Sequence, residues 1–290
     1  MKKYRIKKAE KDFRFLQEVP IVRGSRKKLL AINNKNEIAM FKYEREDYVC
    51  SEACSEKIAY ELAKELGFEC AKIDLAYDDD GKVGVLNYYF SDRFTSPHTD
   101  IVAYLNKNLC ERNSYYTISN IKLVLDDIDK SLFSGFIRIM IFDALIGEQD
   151  RHEENWGIIE KLGKFYISPL YDNGDSLLRE FKNIETARKY YEGIKNFDLY
   201  IERSKTMIYK ENNKDRYKHF ELIQYLFDKF PQLVIPEIEK LKVLTDKTIE
   251  KIINKVPDEL LTNEHKKYII LYLIKRRNRL LSIIKKRCEI

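Results

Sequence analysis

The sequence holds no run of eighteen apolar residues, which leaves no candidate for a membrane-spanning helix. Its opening residues, Met-Lys-Lys-Tyr-Arg-Ile-Lys-Lys, are charged with no apolar segment behind them, so a secretory signal is not expected. Cysteine is sparse and odd in number: Cys50, Cys54, Cys70, Cys110 and Cys288. Cys50 and Cys54 stand four apart, but no second Cys or His pair lies where a zinc site needs one. Neither a disulfide framework nor a zinc module is expected, and a reducing, cytoplasmic location is the default. Internal repeats, coiled-coil heptads and low-complexity tails are absent as well. What is present is a chain of 290 residues, 44% hydrophobic and 34% charged. That suffices for one large domain or for two lobes sharing a cleft.

The net charge of +6 is concentrated at the ends. Residues 1–30 carry eleven Lys/Arg against three acids, and residues 266–290 carry nine against one. Such clusters serve nucleic acid or acidic partners. Tyr, Leu and Ile interleave with these bases, however, which favours a packed basic helix face over a nucleic-acid site.

The most informative stretch is Ile141-Phe-Asp-Ala-Leu-Ile-Gly-Glu-Gln-Asp-Arg-His-Glu-Glu-Asn-Trp-Gly157, followed by Ile167-Ser-Pro-Leu-Tyr-Asp-Asn-Gly174. Asp150 and Asn155 stand in a D-x-x-x-x-N arrangement, and Asp172 comes seventeen residues after the Asn. Phosphoryl transfer from ATP needs a carboxylate to orient the attacking hydroxyl and oxygen ligands to hold Mg²⁺ on the phosphates. Mg²⁺ takes few protein oxygens and keeps its other positions for water and phosphate. Alone, an Asp-Arg-His on a loop is usually a turn or a helix cap. Context favours chemistry. An apolar helix over Ser131–Ile146 precedes the motif and stops at Gly147. The strand-like runs Trp156–Ile159 and Phe165–Ile167 follow, and Asp172 opens the next loop.

The N-terminal third supports the same order without using that motif. Residues 1–18 are basic and uninformative. Strands are expected at Val19–Val22, Leu29–Ile32 and Glu37–Tyr43, with a turn at Asn33–Asn36. The loop Arg23-Gly-Ser-Arg-Lys-Lys28 can wrap phosphates with backbone N–H groups, although one glycine is a weak signal. On the third strand Ile38, Met40 and Lys42 share a face by period two. Lys42 is there either a snorkelling edge residue or the point charge that meets ATP phosphates. The second role needs an acid on the following helix, expected from Ser55 to Leu66 and stopped by Gly67. Glu56 is the candidate, with Glu52 a rival if the helix starts earlier. Strands over Ala71–Tyr77 and Val83–Phe90 flank a turn at Asp78–Gly81. Asn87–Asp92 would then be a hinge facing adenine. Residues 91–115 read as loop and 182–215 as a polar stretch, part loop and part mobile. Helices are expected at about 217–229, 236–254 and 264–287.

These residues resemble the HipA-like kinase family. The likeness rests on Gly147-x-x-Asp150-Arg-His-x-x-Asn155, Pro169-x-Tyr-Asp172, Gly24-x-x-x-Lys28, Ser55-Glu56 and Leu66-Gly67, and spans residues 20–285. Asp150–Gly157 and Asp172–Gly174 are most similar to the short, single-module branch of the cell-translocating kinase A type. The resemblance implies an α+β, bilobal protein-kinase-like fold, with a small β-rich lobe at 1–92 containing one helix and a larger, mostly helical lobe at 93–290. It implies a serine/threonine protein kinase using ATP and Mg²⁺. Asp150 is then the catalytic base, Lys42 holds the phosphates with Glu56 as partner, and Asn155 and Asp172 bind the metal. Gly24, Ser25, Lys28, Asn87, Tyr88, Tyr89 and His152 complete the nucleotide site. Autophosphorylation, a toxin or effector role and an antitoxin partner also follow from the family. Ser25 is the only hydroxyl within the phosphate loop, and Asn173 stands where ordinary protein kinases have Phe, so no Phe-driven switch is expected there.

Competing functions are a phosphatidylinositol-type lipid kinase, a small-molecule phosphotransferase, and a nucleotide-binding docking module without catalysis. Lipid kinases share Asp-Arg-His-x-x-Asn but normally follow it with Asp-Phe-Gly. Small-molecule phosphotransferases usually carry His-Gly-Asp where Gly147-Glu-Gln precedes Asp150. A docking module would be marked by loss of Lys42, Asp150, Asn155 or Asp172, and all four are present.

Overall fold

The computed structural model describes residues 2–16, 28–44, 51–92, 95–105, 115–179, 181, 183–211 and 214–285. Strands β1 (Lys7–Lys8), β2 (Phe13–Leu16), β3 (Lys28–Asn33), β4 (Ile38–Tyr43), β5 (Ile73–Tyr77) and β6 (Val83–Tyr88) make one sheet in the order β1-β5-β6-β4-β3-β2. Every pairing is antiparallel except that of β1 with β5. Alternation sends side chains to two faces. Phe41, Leu86 and Tyr88 join Ala9, Phe13, Ala31, Ala39 and Ala76 in a small core on one face. Met40 and Lys42, opposite Asn87 and Val85, turn to the other. There Ala53 of helix α2 (Glu52–Glu65) closes a second small core with Ile73, Leu75 and Val85. Gly84 permits the close approach of β6 to β4, since a Cβ there would stand 2.4 Å from the Lys42 carbonyl oxygen and 2.7 Å from Phe41 Cζ.

Helix α2 begins one turn before the expected Ser55. Ser51 Oγ accepts from Cys54 N at 3.1 Å and so satisfies a first-turn donor that otherwise has no helical partner. The basic N-terminus, silent as sequence, supplies β1, the short turn α1 (Ala9–Asp12) and β2. Both strands are too short to carry a period, and their pairing with β5 and β3 defines them. The strand expected at 19–22 lies outside the described residues.

The larger lobe is built on α4 (Leu132–Ile146), preceded by α3 (Ile118–Ile128). Every residue of α4 from Ile139 to Ile146 is buried, so the helix runs through the lobe rather than along its surface. Helices α7 (His219–Lys229), α8 (Pro231–Lys240) and α10 (Asn263–Lys285) pack around it. Gly147 ends α4 with φ 73°, and a Cβ there would stand 1.9 Å from Tyr272 Oη.

Three regions depart from expectation. Within 91–115, β7 (His98–Asp100) pairs with β8 (Gly157–Lys161), which forms a hairpin with β9 (Lys164–Ile167). A three-residue strand leaves no local signal. Residues 182–215 contain helices α5 (Ile184–Tyr191) and α6 (Phe197–Arg203) and the antiparallel pair β10 (Lys205–Tyr209) and β11 (Arg216–Lys218). The asparagines that made this stretch look like loop are caps: Asn183 Oδ1 accepts from Thr186 N and Asn196 Oδ1 from Leu199 N, each at 2.9 Å. The helix expected over 236–254 is two, α8 and α9 (Asp246–Ile253), because Thr245 caps a fresh start.

One hydrophobic core joins the lobes, running from Ile58 and Leu62 of α2 to Phe142 of α4 and Leu170. The result is an α+β, bilobal, kinase-like fold. Many of the terminal bases are engaged within it. Lys3 meets Asp258, Lys7 meets Asp74, Lys275 meets Asp198, Arg277 meets Asp246 and Arg279 meets Glu202, at 2.6–2.9 Å. No described helix is long and apolar enough to cross a membrane.

Candidate active site

A cleft of about 440 Å³ opens between the sheet and the loops that follow α4. Lys28, Met40, Lys42, Asn87, Tyr88 and Tyr89 line it from the sheet; His152, Asn155, Tyr171 and Asp172 line it from the other lobe. Eight of the residues singled out from the sequence therefore share one cavity. Glu56 lies buried behind Lys42, and Asp150 is half-buried on the loop that carries His152 and Asn155. Gly24 and Ser25 lie outside the described residues. Tyr88 turns its ring to the opposite sheet face, where it meets Phe13 edge-on and its hydroxyl donates to Asp74 Oδ2 at 3.0 Å.

The Lys42 ammonium sits between two carboxylates, donating to Glu56 Oε1 at 3.2 Å and Asp172 Oδ1 at 3.0 Å. Burial favours the neutral amine, but Asp172 and Glu56 outweigh it and hold the pKa above that of an ordinary lysine. Lys42 is thus a fixed cation at the cleft floor. The helix does start earlier, the condition under which Glu52 was the rival, yet Glu56, one turn further in, is the residue that meets Lys42. Glu52 pairs instead with Arg179 at 2.8 Å. Glu56 also accepts from Asn173 N at 3.2 Å, and Ser55 Oγ donates to the Ser176 carbonyl at 3.2 Å. One face of α2 is thereby bound to the loop carrying Asp172.

The loop after α4 folds on its own main chain. Asn155 Nδ2 donates to the Asp150 carbonyl at 2.8 Å, which turns its amide oxygen outward. Asp150 N donates to Glu148 Oε1 at 2.8 Å. Glu148 is 1% exposed, and burial raises its carboxyl well above the usual range. Beneath it, His219 bridges the Glu148 carbonyl at 2.7 Å and Ser204 Oγ at 2.9 Å. Burial lowers the His219 pKa to about 3, with the Arg276 guanidinium adding to the effect, so the imidazole is neutral. Arg276 in turn donates to the Ala144 carbonyl at the end of α4, at 2.7 Å.

Sequence reasoning missed this supporting layer, and also Asp100, Tyr171 and His98. Tyr171 Oη donates to Asp100 Oδ1 and to the Glu154 carbonyl, both at 3.1 Å, and its ring closes the cleft with Phe90 and His98. Tyr171, next to Asp172, was within reach of the motif; β7, which carries the other two, gave no signal.

Among the described residues no group of three or more His, Cys, Asp or Glu is placed to hold a metal. Asn155 and Asp172 line the same cleft, one bearing an amide oxygen and the other a carboxylate. That sparse, all-oxygen set suits Mg²⁺ completed by water and phosphate, and does not suit zinc.

The sequence profile of the HipA-like C-terminal domain family matches residues 21–261. No curated protein matches the chain. Among solved structures it is similar to the Helicobacter pylori proinflammatory kinase CtkA, with a TM-score of 0.75 at 18% identity over 90% of this chain and 93% of that one. It is also similar to HipA of the Shewanella oneidensis MR-1 toxin–antitoxin system, solved with HipB and operator DNA: TM-score 0.55, 14% identity, over 91% of this chain and 66% of that one. A Golgi casein kinase gives a TM-score of 0.51 at 13% identity, over 98% of this chain and 75% of that one. At these identities the structural likeness is one of fold.

Proposed function

The chain belongs to the family of HipA-like C-terminal domains, and on that premise we propose that it is a kinase transferring the γ-phosphate of ATP to serine or threonine hydroxyls of proteins. The observation that carries this reading is Lys42, held between Glu56 and Asp172 in the cleft that Asn155 also lines. In the proposed reaction Asp150 orients the acceptor hydroxyl and takes its proton. Lys28 and Lys42 neutralise phosphate charge, and Asn87, Tyr89 and the main chain of Tyr88 face the base. His152 and the Gly24–Ser25 loop complete the nucleotide site. Asn155 and Asp172 would hold Mg²⁺, which supplies charge neutralisation across the phosphates when bound. The lobes are divided at 92/93. The family reading extends to autophosphorylation, to a toxin or effector role and to an antitoxin partner, to be sought by co-purification.

The test is transfer of labelled γ-phosphate from Mg-ATP to the chain itself and to proteins of a lysate. Asp150→Ala is expected to lower transfer by about 100-fold or more while leaving the melting temperature in place. Phosphosite mapping then asks whether Ser25 is modified. Nucleotide binding without label on any protein overturns the protein-kinase reading in favour of a lipid or small-molecule acceptor or of a nucleotide-binding module without catalysis. If no nucleotide binds, every kinase reading falls and only docking of a partner through the basic ends is left.

A further inference from the structure

The two candidate metal ligands come from different loops, and one buried group touches the chain beside both. Arg151 Nη1 donates to the Asn155 carbonyl at 3.0 Å and to the Tyr171 carbonyl, and Nη2 donates to Asn173 Oδ1 at 2.6 Å. Tyr171 and Asn173 are the immediate neighbours of Asp172. The guanidinium is itself fixed from behind by Asp143 of α4, through Nη2 to Oδ1 at 2.9 Å and Nε to Oδ2 at 3.1 Å. Asp172 has φ 51°, in the left-handed region that few non-glycine residues adopt, aspartate more readily than most, and its neighbours hold it there. Here the hold is applied on both sides of the residue. Asn173 is fully buried, and two of its polar groups meet the two halves of the site, while its carbonyl accepts from Ser176 Oγ and its Nδ2 lies against Cys70 Sγ. Its N–H goes to Glu56, the partner of Lys42, and its side-chain oxygen receives Arg151.

From this geometry we infer that Arg151 and Asn173 are positioning residues that set the spacing between the Asn155 and Asp172 oxygens, and so the affinity of the site for the nucleotide-bound metal. The inference rests on the proposed ATP and Mg²⁺ chemistry. A planar guanidinium presents donors in a fixed fork and can bind three acceptors from two loops at once. A lysine ammonium at the same place keeps the charge opposite Asp143 but cannot span them. Leucine at 173 keeps the branching of asparagine at Cγ with added volume, removes the acceptor for Nη2 and leaves the backbone N–H to Glu56 intact.

The experiment is thermal stabilisation of the full chain by a non-hydrolysable ATP analogue, measured against Mg²⁺ concentration and again in EDTA. For Asn173→Leu and Arg151→Lys the Mg²⁺ concentration at half-maximal stabilisation is expected to rise about 10-fold or more, as is usual when a group that orients a metal ligand is lost. Stabilisation by the analogue in EDTA should be unchanged. An unaltered Mg²⁺ midpoint in both variants overturns the inference. So does an equal loss with and without Mg²⁺, which would make the pair general scaffolding. Failure of both variants to fold overturns it too, since both keep a cation opposite Asp143 and are expected to fold. If the wild-type chain itself shows no Mg²⁺-dependent response, the proposed function falls and takes the brace with it. A normal wild-type response with unshifted variants removes the brace alone.

Discussion

The cleft surface and the layer beneath it solve opposite problems with similar residues. At the surface, Lys42 meets Asp172, whose side chain is 32% exposed and open to exchange its partner for a ligand. Beneath, Arg151 meets Asp143 with side chains 3% and 2% exposed, and the remaining donors go to carbonyls and an amide oxygen. In the proposed function the first pair is a binding device, held ready by charge. The second is permanent, because a buried charge without its partner is far more costly than a solvated one. Chemistry and stability are therefore expected to separate by depth.

The largest test of that separation is Asp143→Ala. It strands the Arg151 charge in the interior, and stability is expected to fall by about 3–5 kcal/mol, read as the midpoint of a urea melt. Asp150→Ala, nearer the surface, should do the reverse, lowering transfer by about 100-fold or more at an unchanged midpoint. Equal stability of the two variants would break the comparison. Gly147→Ala probes the same deep layer sterically. It forces alanine into φ 73° and a Cβ to within 1.9 Å of Tyr272 Oη. A loss of about 1–3 kcal/mol is expected from overpacking alone. A neutral result would mean that α10 can shift away from the end of α4.

The same division by depth decides what was legible in the sequence. Lys42, Asp150, Asn155 and Asp172 announce themselves because phosphoryl transfer demands those residue types in that order along the chain. The long apolar helix before them followed from periodicity, whereas for Lys42 the pattern left Glu56 and Glu52 both open and only the family resemblance pointed to Glu56. Asp143 looked like one polar residue in an apolar helix, and nothing local tells a buried aspartate from an exposed one until Arg151 folds back eight residues later. His219 and Arg276 are farther still, brought to Glu148 and Ala144 only by the packing of α7 and α10 on α4. The short strands β1, β2 and β7 were hidden for a related reason, since their conformation is set by distant partners. The asparagines at 183 and 196 misled through composition, because the residue type that favours loops also caps helices.

The effect most specific to the deep layer, and the most gradual, is in the pH dependence of stability. His219 is neutral in the fold, with its pKa lowered to about 3 by burial and by Arg276. In the unfolded chain an ordinary histidine takes up a proton near pH 6.5. Between those values the unfolded state binds the extra proton, so the contribution of His219 is fully present above about pH 6.5 and is lost as pH falls toward 3. The slope from this one group is at most about 1.4 kcal/mol per pH unit. His219→Gln keeps a polar side chain between Ser204 and the Glu148 carbonyl but cannot titrate. Its stability deficit relative to wild type, measured by urea melts from pH 7 to pH 4, should narrow as the solution becomes more acid. A deficit that stays constant with pH would mean that His219 is protonated in the fold, and the layer under the catalytic loop would then carry a second buried cation beside Arg276.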